Sequence, residues 1–325
     1  KAAYFARKNA KFISCGDKMV SMTDSNLAHP PLPAIDNTSR AQDIESRMRI
    51  ELKDIGIPPR PRILKQIENE IAKDSPDFIF LAKLISSDVG LSAGLIKTAN
   101  SPFFAFGKKV RTVQEALLVL GLKLVVQTIA GLALKEIFKH APNLERFWDS
   151  SAMIANQAGW IAKYLKATLR LRPEDAYTFA LFRDCGIPVL IAPFPEYRDV
   201  LAQANAEKEL AFTEIEDRMM AINHALVGAE LAEDWFLPVD ISEAIRYHHD
   251  RAFLEGTLPM PEVPEQARTL IAIAQLAEYL VQQQTGFAQT NEWSKIGPAC
   301  LAKLALTEDE LAELIEVSRA ELSSE

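Results

Sequence analysis

Apolar residues recur every three or four positions along most of this chain, which is the spacing of one face of an α-helix. In the segment 62–73, for example, Ile63, Leu64, Ile67 and Ile71 share such a face. Long runs of valine, isoleucine and threonine with the period-two alternation of strands do not occur. The pattern predicts an all-α, multi-helix bundle without a substantial sheet.

Capping residues predict where several helices begin and end. Ser75-Pro76 and Asp88 predict two helix starts, Thr112 with Glu115 forms a capping box, and Gly121 predicts a helix end. The helices predicted after Gly121 are 122–139, 143–167, 173–185, 194–209, 213–235, 240–249, 264–285 and 308–322.

Two further capping boxes belong to this set. Thr213 with Glu216 predicts the start of the helix 213–235, and Asp240 with Glu243 predicts the start of the helix 240–249. Residues 286–307 are mixed in character, because Asn291, Gly297 and Pro298 are typical of turns.

Turn-rich segments also indicate how the chain is organised. A proline-rich stretch within residues 23–41 predicts a linker, so residues 1–41 form an N-terminal extension. Residues 42–285 are predicted to form one helical domain, with a first subdomain at 42–140 and a second at 141–285. Residues 286–325 follow as a C-terminal helical extension.

Charge and hydropathy exclude several classes of protein. The net charge is −8 and no dense stripe of lysine and arginine is present, so general nucleic-acid binding is disfavoured. The longest apolar run, near Leu124–Leu134, is too short to cross a bilayer, and no signal-peptide pattern is visible. Three widely spaced cysteines fit reduced thiols. We therefore expect a cytoplasmic protein that does not bind membranes.

Histidines and one Arg-Asp pair are the candidates for chemistry. His248 and His249 end a predicted helix, where successive side chains point about 100° apart, so a shared ligand position is disfavoured. His224 is predicted to lie mid-helix beside small residues, as a core histidine would. Arg183-Asp184 lies in an apolar stretch and is either a buried ion pair, a helix cap or a carboxylate held for a metal.

Other catalytic signatures are missing from the sequence. It contains no phosphate-binding glycine loop, no GxSxG and no HExxH motif. Cys185 follows Asp184, and a negative neighbour disfavours the thiolate that a nucleophile requires.

Several short segments, in this order and spacing, resemble the HDOD family, a branch of the HD phosphohydrolase superfamily. The resemblance implies a multi-helix HD-like fold and a bacterial, cytoplasmic protein that regulates a signalling system. It is carried by the segments 57–61, 85–93, 95–104, 113–117, 120–122, 147–148, 180–186, 224–229 and 235–238.

The resemblance also implies that the metal site is degenerate. HD enzymes hold one or two metal ions with histidines and aspartates, but an arginine stays protonated and cannot coordinate a cation. Serine and glutamine are weak ligands for transition metals. The positions carried over from the family are Ser150, Arg183, Asp184, His224, His248, His249 and Gln275.

We therefore expect no catalytic residues, no cofactor and no bound metal. If a metal does bind, the resemblance assigns it to Asp184, His224, His248 and His249. The leading hypothesis is a non-catalytic regulatory module that binds a protein partner of a signalling system or a small ligand. The alternatives are a metal-dependent phosphohydrolase or phosphodiesterase with a reduced site, and a nucleotide-binding sensor in which Arg183 holds a phosphate without cleaving it.

An aromatic loop in the first subdomain is a candidate interaction surface. Its phenylalanines either contact a partner or plug the core between two helices, and their spacing alone leaves both alternatives open. The residues concerned are Asn100, Ser101, Pro102, Phe103 and Phe104.

Overall fold

The computed structural model describes residues 57–323, apart from 102, 105–108, 140, 142–143, 167, 170, 258–262 and 287–288. Within these ranges the secondary structure is helical and includes no strand, which confirms the predicted all-α class. The predicted extension 1–41 and the first residues of the predicted domain 42–285 lie outside the described residues.

The first subdomain packs three short helices against one long helix. Its last helix is apolar over most of its length and forms the core, because the other three each contact it. In chain order the four are α1 (Arg62–Ile71), α2 (Phe78–Ser86), α3 (Val89–Ala99) and α4 (Val113–Ile137).

The helix starts in this subdomain follow from side-chain caps. Asp88 and Thr112 cap α3 and α4 as predicted, and Glu115 completes the capping box of α4. The start predicted at Ser75-Pro76 is early, because the Asp77 carboxylate accepts hydrogen bonds from Ile79 N and Phe80 N and so caps α2.

Gly121 interrupts α4, as its predicted role as a helix end requires. Its φ of 72° and ψ of 158° are non-helical and divide the helix into two halves. Such a positive φ is readily adopted by glycine and costs other residues energy. α4 is long and apolar enough to cross a membrane by length and composition, but 56% of its apolar stretch is buried inside the fold, as in the core helix of a globular protein.

The second subdomain is built around three closely packed helices, α5 (Glu145–Tyr164), α6 (Pro173–Phe182) and α13 (Glu265–Thr285). A second layer is formed by α10 (His224–Asp234), which packs against α7 (Gly186–Ile191) and α11 (Val239–Tyr247), and α11 also contacts α13. The subdomain also contains α8 (Tyr197–Ala206), α9 (Phe212–Met220) and α12 (Arg251–Leu254).

The predicted single helix 213–235 is wrong. Ala221 adopts a left-handed conformation with φ of 57° and ends α9. The Asn223 side chain then accepts a hydrogen bond from Leu226 N at 2.8 Å and caps α10. His224 is therefore the first residue of α10 and not a mid-helix residue.

The capping boxes predicted at Thr213 and Asp240 are also wrong. α9 starts one residue before Thr213, and α11 begins after Pro238 without a side-chain cap. Glu216 is consequently free of the capping role that the sequence suggested for it.

Residues 286–307 contain a helix that was not predicted, because they include residues typical of turns. α14 (Glu292–Leu304) includes Pro298 in its interior and packs against α13, and α15 (Glu308–Ser323) follows it. Ser318 of α15 is buried, and it accepts hydrogen bonds from Gln157 and Gln284 at 2.9 and 2.8 Å. The C-terminal residues thus pack directly on α5 and α13.

The aromatic loop after α3 packs inward at the residues that are described. Phe104 is 5% exposed, and its ring lies 5.1 Å from that of Tyr177 on α6. Phe103 stacks on the same tyrosine at 6.2 Å, and Asn100 donates to the backbone oxygen of Val110. These contacts favour the alternative that the loop plugs the core, while its contact with a partner stays a prediction. Pro102 lies outside the described residues.

Candidate functional site

The Arg183-Asp184 pair lies in the turn between α6 and α7 and forms a buried ion pair. Arg183 is 5% exposed. Its Nε and Nη2 donate to the same Asp184 oxygen, Oδ2, at 3.1 and 2.7 Å, and its Nη1 donates to Glu278 of α13 at 3.2 Å. The guanidinium is therefore held between two carboxylates.

Two histidines lie against the other oxygen of Asp184, and a third is close to them. Asp184 Oδ1 lies 3.5 Å from His224 Nε2 and 3.3 Å from His248 Nε2, and those two nitrogens are 3.2 Å apart. With His249 included, one ligand atom from each of the four residues lies within 4.8 Å of the others. We call Asp184, His224, His248 and His249 the His/Asp cluster.

The adjacent histidines both reach the cluster because their helix ends just before them. α11 ends at Tyr247, and His248 is its C-cap, so the 100° rotation of a continuous helix does not govern His249. The rings of His248 and His249 lie 4.1 Å apart. The geometric argument that disfavoured a shared ligand position assumed a continuous ideal helix, and the helix end at Tyr247 removes that assumption.

The Nδ1 atom of every histidine in the cluster is bonded outside it. A backbone oxygen only accepts, and a carboxylate normally does the same, so each of these Nδ1 atoms carries a hydrogen. In His224 and His248 the other nitrogen, Nε2, then lies against Asp184. Histidine ligands of metals are oriented in this way by their outer partners. The outer contacts are His224 with Glu216 at 2.8 Å, His248 with the backbone oxygen of Ile245 at 2.7 Å, and His249 with Glu292 at 2.7 Å.

Glu216 is a site residue that the sequence analysis missed. It is fully buried and accepts hydrogen bonds from the Tyr197 hydroxyl and from the backbone and ring of His224. Its spacing from Thr213 suggested a role in a helix cap. The break at Ala221, which brings His224 of the next helix back beside Glu216, has no strong sequence signal. Glu292 was missed for the corresponding reason, since α14 was not predicted.

The cluster is charged even without a metal ion. Burial alone would lower the pKa of His224, but Glu216 and Asp184 raise it to about 10, so this ring is a cation at neutral pH. Burial and the neighbouring His249 lower the pKa of His248 to about 3, against the pull of Asp184. The unprotonated Nε2 of His248 can thus accept a hydrogen bond from the protonated Nε2 of His224.

The carboxylates around the cluster are held by cations. Burial would raise the pKa of Asp184, but the charge of Arg183 and the hydrogen bond from the protonated His224 outweigh it and hold that pKa well below its usual range. Burial likewise opposes ionisation of Glu292, yet His249 and Lys295 lower its pKa to about 2. The pKa of Glu278 is raised, because burial and nearby carboxylates outweigh Arg183.

A cavity of about 300 Å³ opens beside the cluster. Its lining combines apolar side chains with charged and amide groups, as in pockets that bind small organic molecules. Its lining includes Leu144, Phe147, Arg183, Asp184, Arg198, Asn205, Phe212, Glu278, Thr290 and Glu292.

Two of the carried-over positions lie at the edge of this arrangement. Gln275 is 3% exposed and donates to Glu278 at 2.9 Å, so it belongs to the network around Arg183. Ser150 is half-buried on α5, one turn beyond the cavity-lining Phe147.

The donor chemistry of the His/Asp cluster fits one divalent ion, which Asp184 Oδ1 and the histidine Nε2 atoms would hold. At two positions to which the family resemblance assigns further metal ligands, the chain has Arg183 and Gln275, which are poor ligands for a second ion. The charge opposes even the first ion, since Arg183 and the His224 proton already neutralise the carboxylates. The expectation of no bound metal stays a prediction, and the orientation of the rings is the strongest argument against it.

Comparison with known proteins agrees with this architecture. Residues 57–251 match the HDOD domain family. An uncharacterized protein of Treponema pallidum is 26% identical over 229 residues, which are 70% of this chain but only 42% of that protein. The chain thus spans less than half the length of this curated relative.

Solved structures share the fold at lower identity. An HDOD domain protein of unknown function from Geobacter sulfurreducens is 21% identical with a TM-score of 0.60, and the alignment covers 89% of this chain and 96% of that one. A protein of Marinobacter aquaeolei, provisionally described as a signal transduction protein, is 21% identical with a TM-score of 0.59 over 89% of this chain and 67% of that one.

A protein of Shewanella amazonensis, provisionally described as a phosphohydrolase, is 17% identical with a TM-score of 0.58 over 83% of this chain and 94% of that one. These likenesses establish the helical fold. Together with the sequence match over residues 57–251, they show that this chain belongs to the HDOD domain family.

Proposed function

We propose that this protein is a non-catalytic regulatory module of a bacterial signalling system, which acts by binding a protein partner or a small ligand. The observation that carries the proposal is the position of Arg183. Its guanidinium takes one oxygen of Asp184 through two hydrogen bonds and lies where a neutral histidine would complete an HD doublet.

Charge balance supports this proposal. Asp184 is paired with Arg183, Glu216 with the protonated His224, and Glu292 with Lys295. A divalent ion would have to displace the proton of His224 and then remain close to a permanent positive charge in a buried site. Both effects weaken binding of the ion that HD chemistry requires.

A metal-dependent phosphohydrolase is the second candidate, and the orientation of the histidine rings favours it. Bound at the His/Asp cluster, one ion would polarise a phosphoryl oxygen and supply hydroxide. Asp184 and the three histidines would hold it, while the apolar residues of the cavity lining would help to exclude water from the substrate.

A nucleotide-binding sensor remains an alternative for the ligand. The cavity volume suits a small molecule, but the Arg183 guanidinium is already held by Asp184 and Glu278, so a phosphate would have to compete with both carboxylates. A dose-dependent rise of the melting temperature with a nucleotide would identify this ligand class.

Metal content separates the first two candidates. We expect protein purified without chelators or added metal to carry well under one equivalent of any divalent ion, and to hydrolyse neither phosphate monoesters nor diesters when Mn²⁺ is added. Elemental analysis by mass spectrometry and a chromogenic ester assay would measure both. One equivalent of tightly held metal, with turnover that is lost in Asp184→Ala, would establish the enzyme instead.

The variant Arg183→His tests the cause of this expected behaviour. It replaces the guanidinium with an imidazole, which is a neutral metal ligand, so we expect the variant to take up a divalent ion that the wild type does not retain. Arg246→His is the matched control, because Arg246 is also largely buried and paired with Glu230 and Glu233 on α10. Equal metal content in all three proteins would show that the guanidinium is not what excludes the ion.

A further inference from the structure

The chain beyond α13 contributes to the candidate site, although it lies outside residues 57–251 that match the family. Thr290 and Glu292 line the cavity. Glu292 is the first residue of α14 and is 2% exposed. Such a buried carboxylate is costly unless it is paired and hydrogen-bonded.

Two partners hold the Glu292 carboxylate. Oε2 accepts from His249 Nδ1 at 2.7 Å, and Oε1 accepts from Lys295 Nζ at 2.6 Å. Lys295 lies one turn later on α14, and its side chain is only 7% exposed. One oxygen of the carboxylate is therefore fixed within its own helix, and the other is directed at the cluster.

Separate contacts fix the start of α14. The Asn291 amide donates to the backbone oxygens of Asn205 and Ala206 at 3.2 and 3.0 Å, which ties α14 to the end of α8. Gln282 of α13 donates to the Thr290 hydroxyl at 3.1 Å. These bonds hold Glu292 in place without the help of His249.

The His249 ring is constrained in both of its rotations. Phe212 stacks on it with ring centroids 5.0 Å apart and planes 17° from parallel, which sets the plane of the ring. The bond from Nδ1 to Glu292 then sets how the ring is turned within that plane. With Nδ1 directed at Glu292, Nε2 points away from Glu292, and the ring itself lies 5.1 Å from that of His224 and 4.1 Å from that of His248.

We propose that Glu292 is a positioning residue for His249, so that the C-terminal segment carrying it is an integral part of the binding site. Glu292 accepts the hydrogen of His249 Nδ1 and thereby fixes which way the ring is turned, so that Nε2 is the nitrogen left for a ligand in the cavity. The proposal rests on the proposed function only in taking this cavity as the ligand site. The tautomer of His249 is a property of the ligand-free protein and can be measured whether or not the protein is an enzyme.

The test is ¹⁵N-detected NMR of the imidazoles in full-length Glu292→Ala and Glu292→Gln. The chain has five histidines, so the spectrum is tractable, and His249→Asn assigns the signal. We expect the Nδ1–H form of His249 in the wild type. Glu292→Gln should keep this form because the amide oxygen still accepts, whereas Glu292→Ala should shift His249 largely to the Nε2–H form.

The matched control is Lys303→Met, which removes an ion pair between the other end of α14 and Glu265 of α13. We expect it to leave the His249 signals unchanged. If Glu292→Ala retains the Nδ1–H form, or if Lys303→Met changes the tautomer as strongly, the positioning role is refuted. If Glu292→Ala does not fold, Glu292→Asp decides the question. Its shorter carboxylate should weaken the bond and give a mixture of tautomers, and an unchanged Nδ1–H form would refute the proposal.

Discussion

Replacement of Arg183 by methionine is expected to lower the free energy of unfolding by about 3–5 kcal/mol, the usual cost of removing one partner from a buried ion pair. Methionine fills a similar volume but removes the guanidinium from both carboxylates, which leaves Glu278 without a cation and Asp184 with only the protonated His224. Glu278 is buried, and it also accepts a hydrogen bond from Gln275. Much of the expected loss therefore comes from uncompensated negative charge and not from lost packing. Chemical denaturation monitored by circular dichroism would measure it.

An exposed arginine provides the comparison for this effect. Arg319 of α15 pairs with Glu316 at 2.7 Å, and its side chain is 52% exposed. Exposed pairs contribute about 0–1 kcal/mol, so Arg319→Met should be nearly neutral. A loss in Arg183→Met as small as that in Arg319→Met would mean that the Asp184 carboxylate does not depend on the guanidinium, and the main support for the non-catalytic proposal would be removed.

The sequence predicted the helical class, and it predicted helix boundaries best where a side chain acts locally. Asp88 and Thr112 cap helices through residues three positions away, so their effect is visible in the sequence. The failures at Thr213 and Asp240 show the limit of such patterns. A capping pattern within a helix looks the same as one at its start, whereas α9 begins at Phe212, before Thr213, and α11 begins at Val239, before Asp240.

Only some residues of the candidate site could be predicted from the sequence. The family resemblance supplied Asp184 and the histidines, because these positions are carried by motifs. Glu216 and Glu292 became site residues through tertiary packing, as each reaches a histidine from a different helix. A buried glutamate has the same sequence appearance as an exposed one. The role of such residues therefore cannot be obtained without the fold.

The close approach of α7 and α10 keeps Asp184 beside His224, and Gly186 is the residue that permits it. A Cβ atom at Gly186 would lie 2.1 Å from the backbone oxygen of His224 and 2.8 Å from the backbone nitrogen of Gly228. Backbone atoms cannot rotate away as a flexible side chain can, so the two helices would have to separate. Gly228, whose small size suggested close packing in the sequence, lies on the α10 side of this contact, where its oxygen is 3.5 Å from Cys185 Sγ.

We therefore expect Gly186→Ala to lower the free energy of unfolding by more than about 3 kcal/mol, at or beyond the upper end of ordinary overpacking. Separation of α7 from α10 would also move Asp184 away from His224, so the pKa of His224 should fall part of the way toward its ordinary value, because Glu216 still raises it, and NMR titration of the histidines would detect the change. Gly90→Ala in α3 is the control, because its Cβ would meet only the Asp88 carboxylate at 3.3 Å. Higher helix propensity of alanine should make that change neutral or stabilising by up to about 1 kcal/mol. A Gly186→Ala protein as stable as Gly90→Ala, with the His224 pKa unchanged, would show that the spacing of the cluster does not depend on this contact.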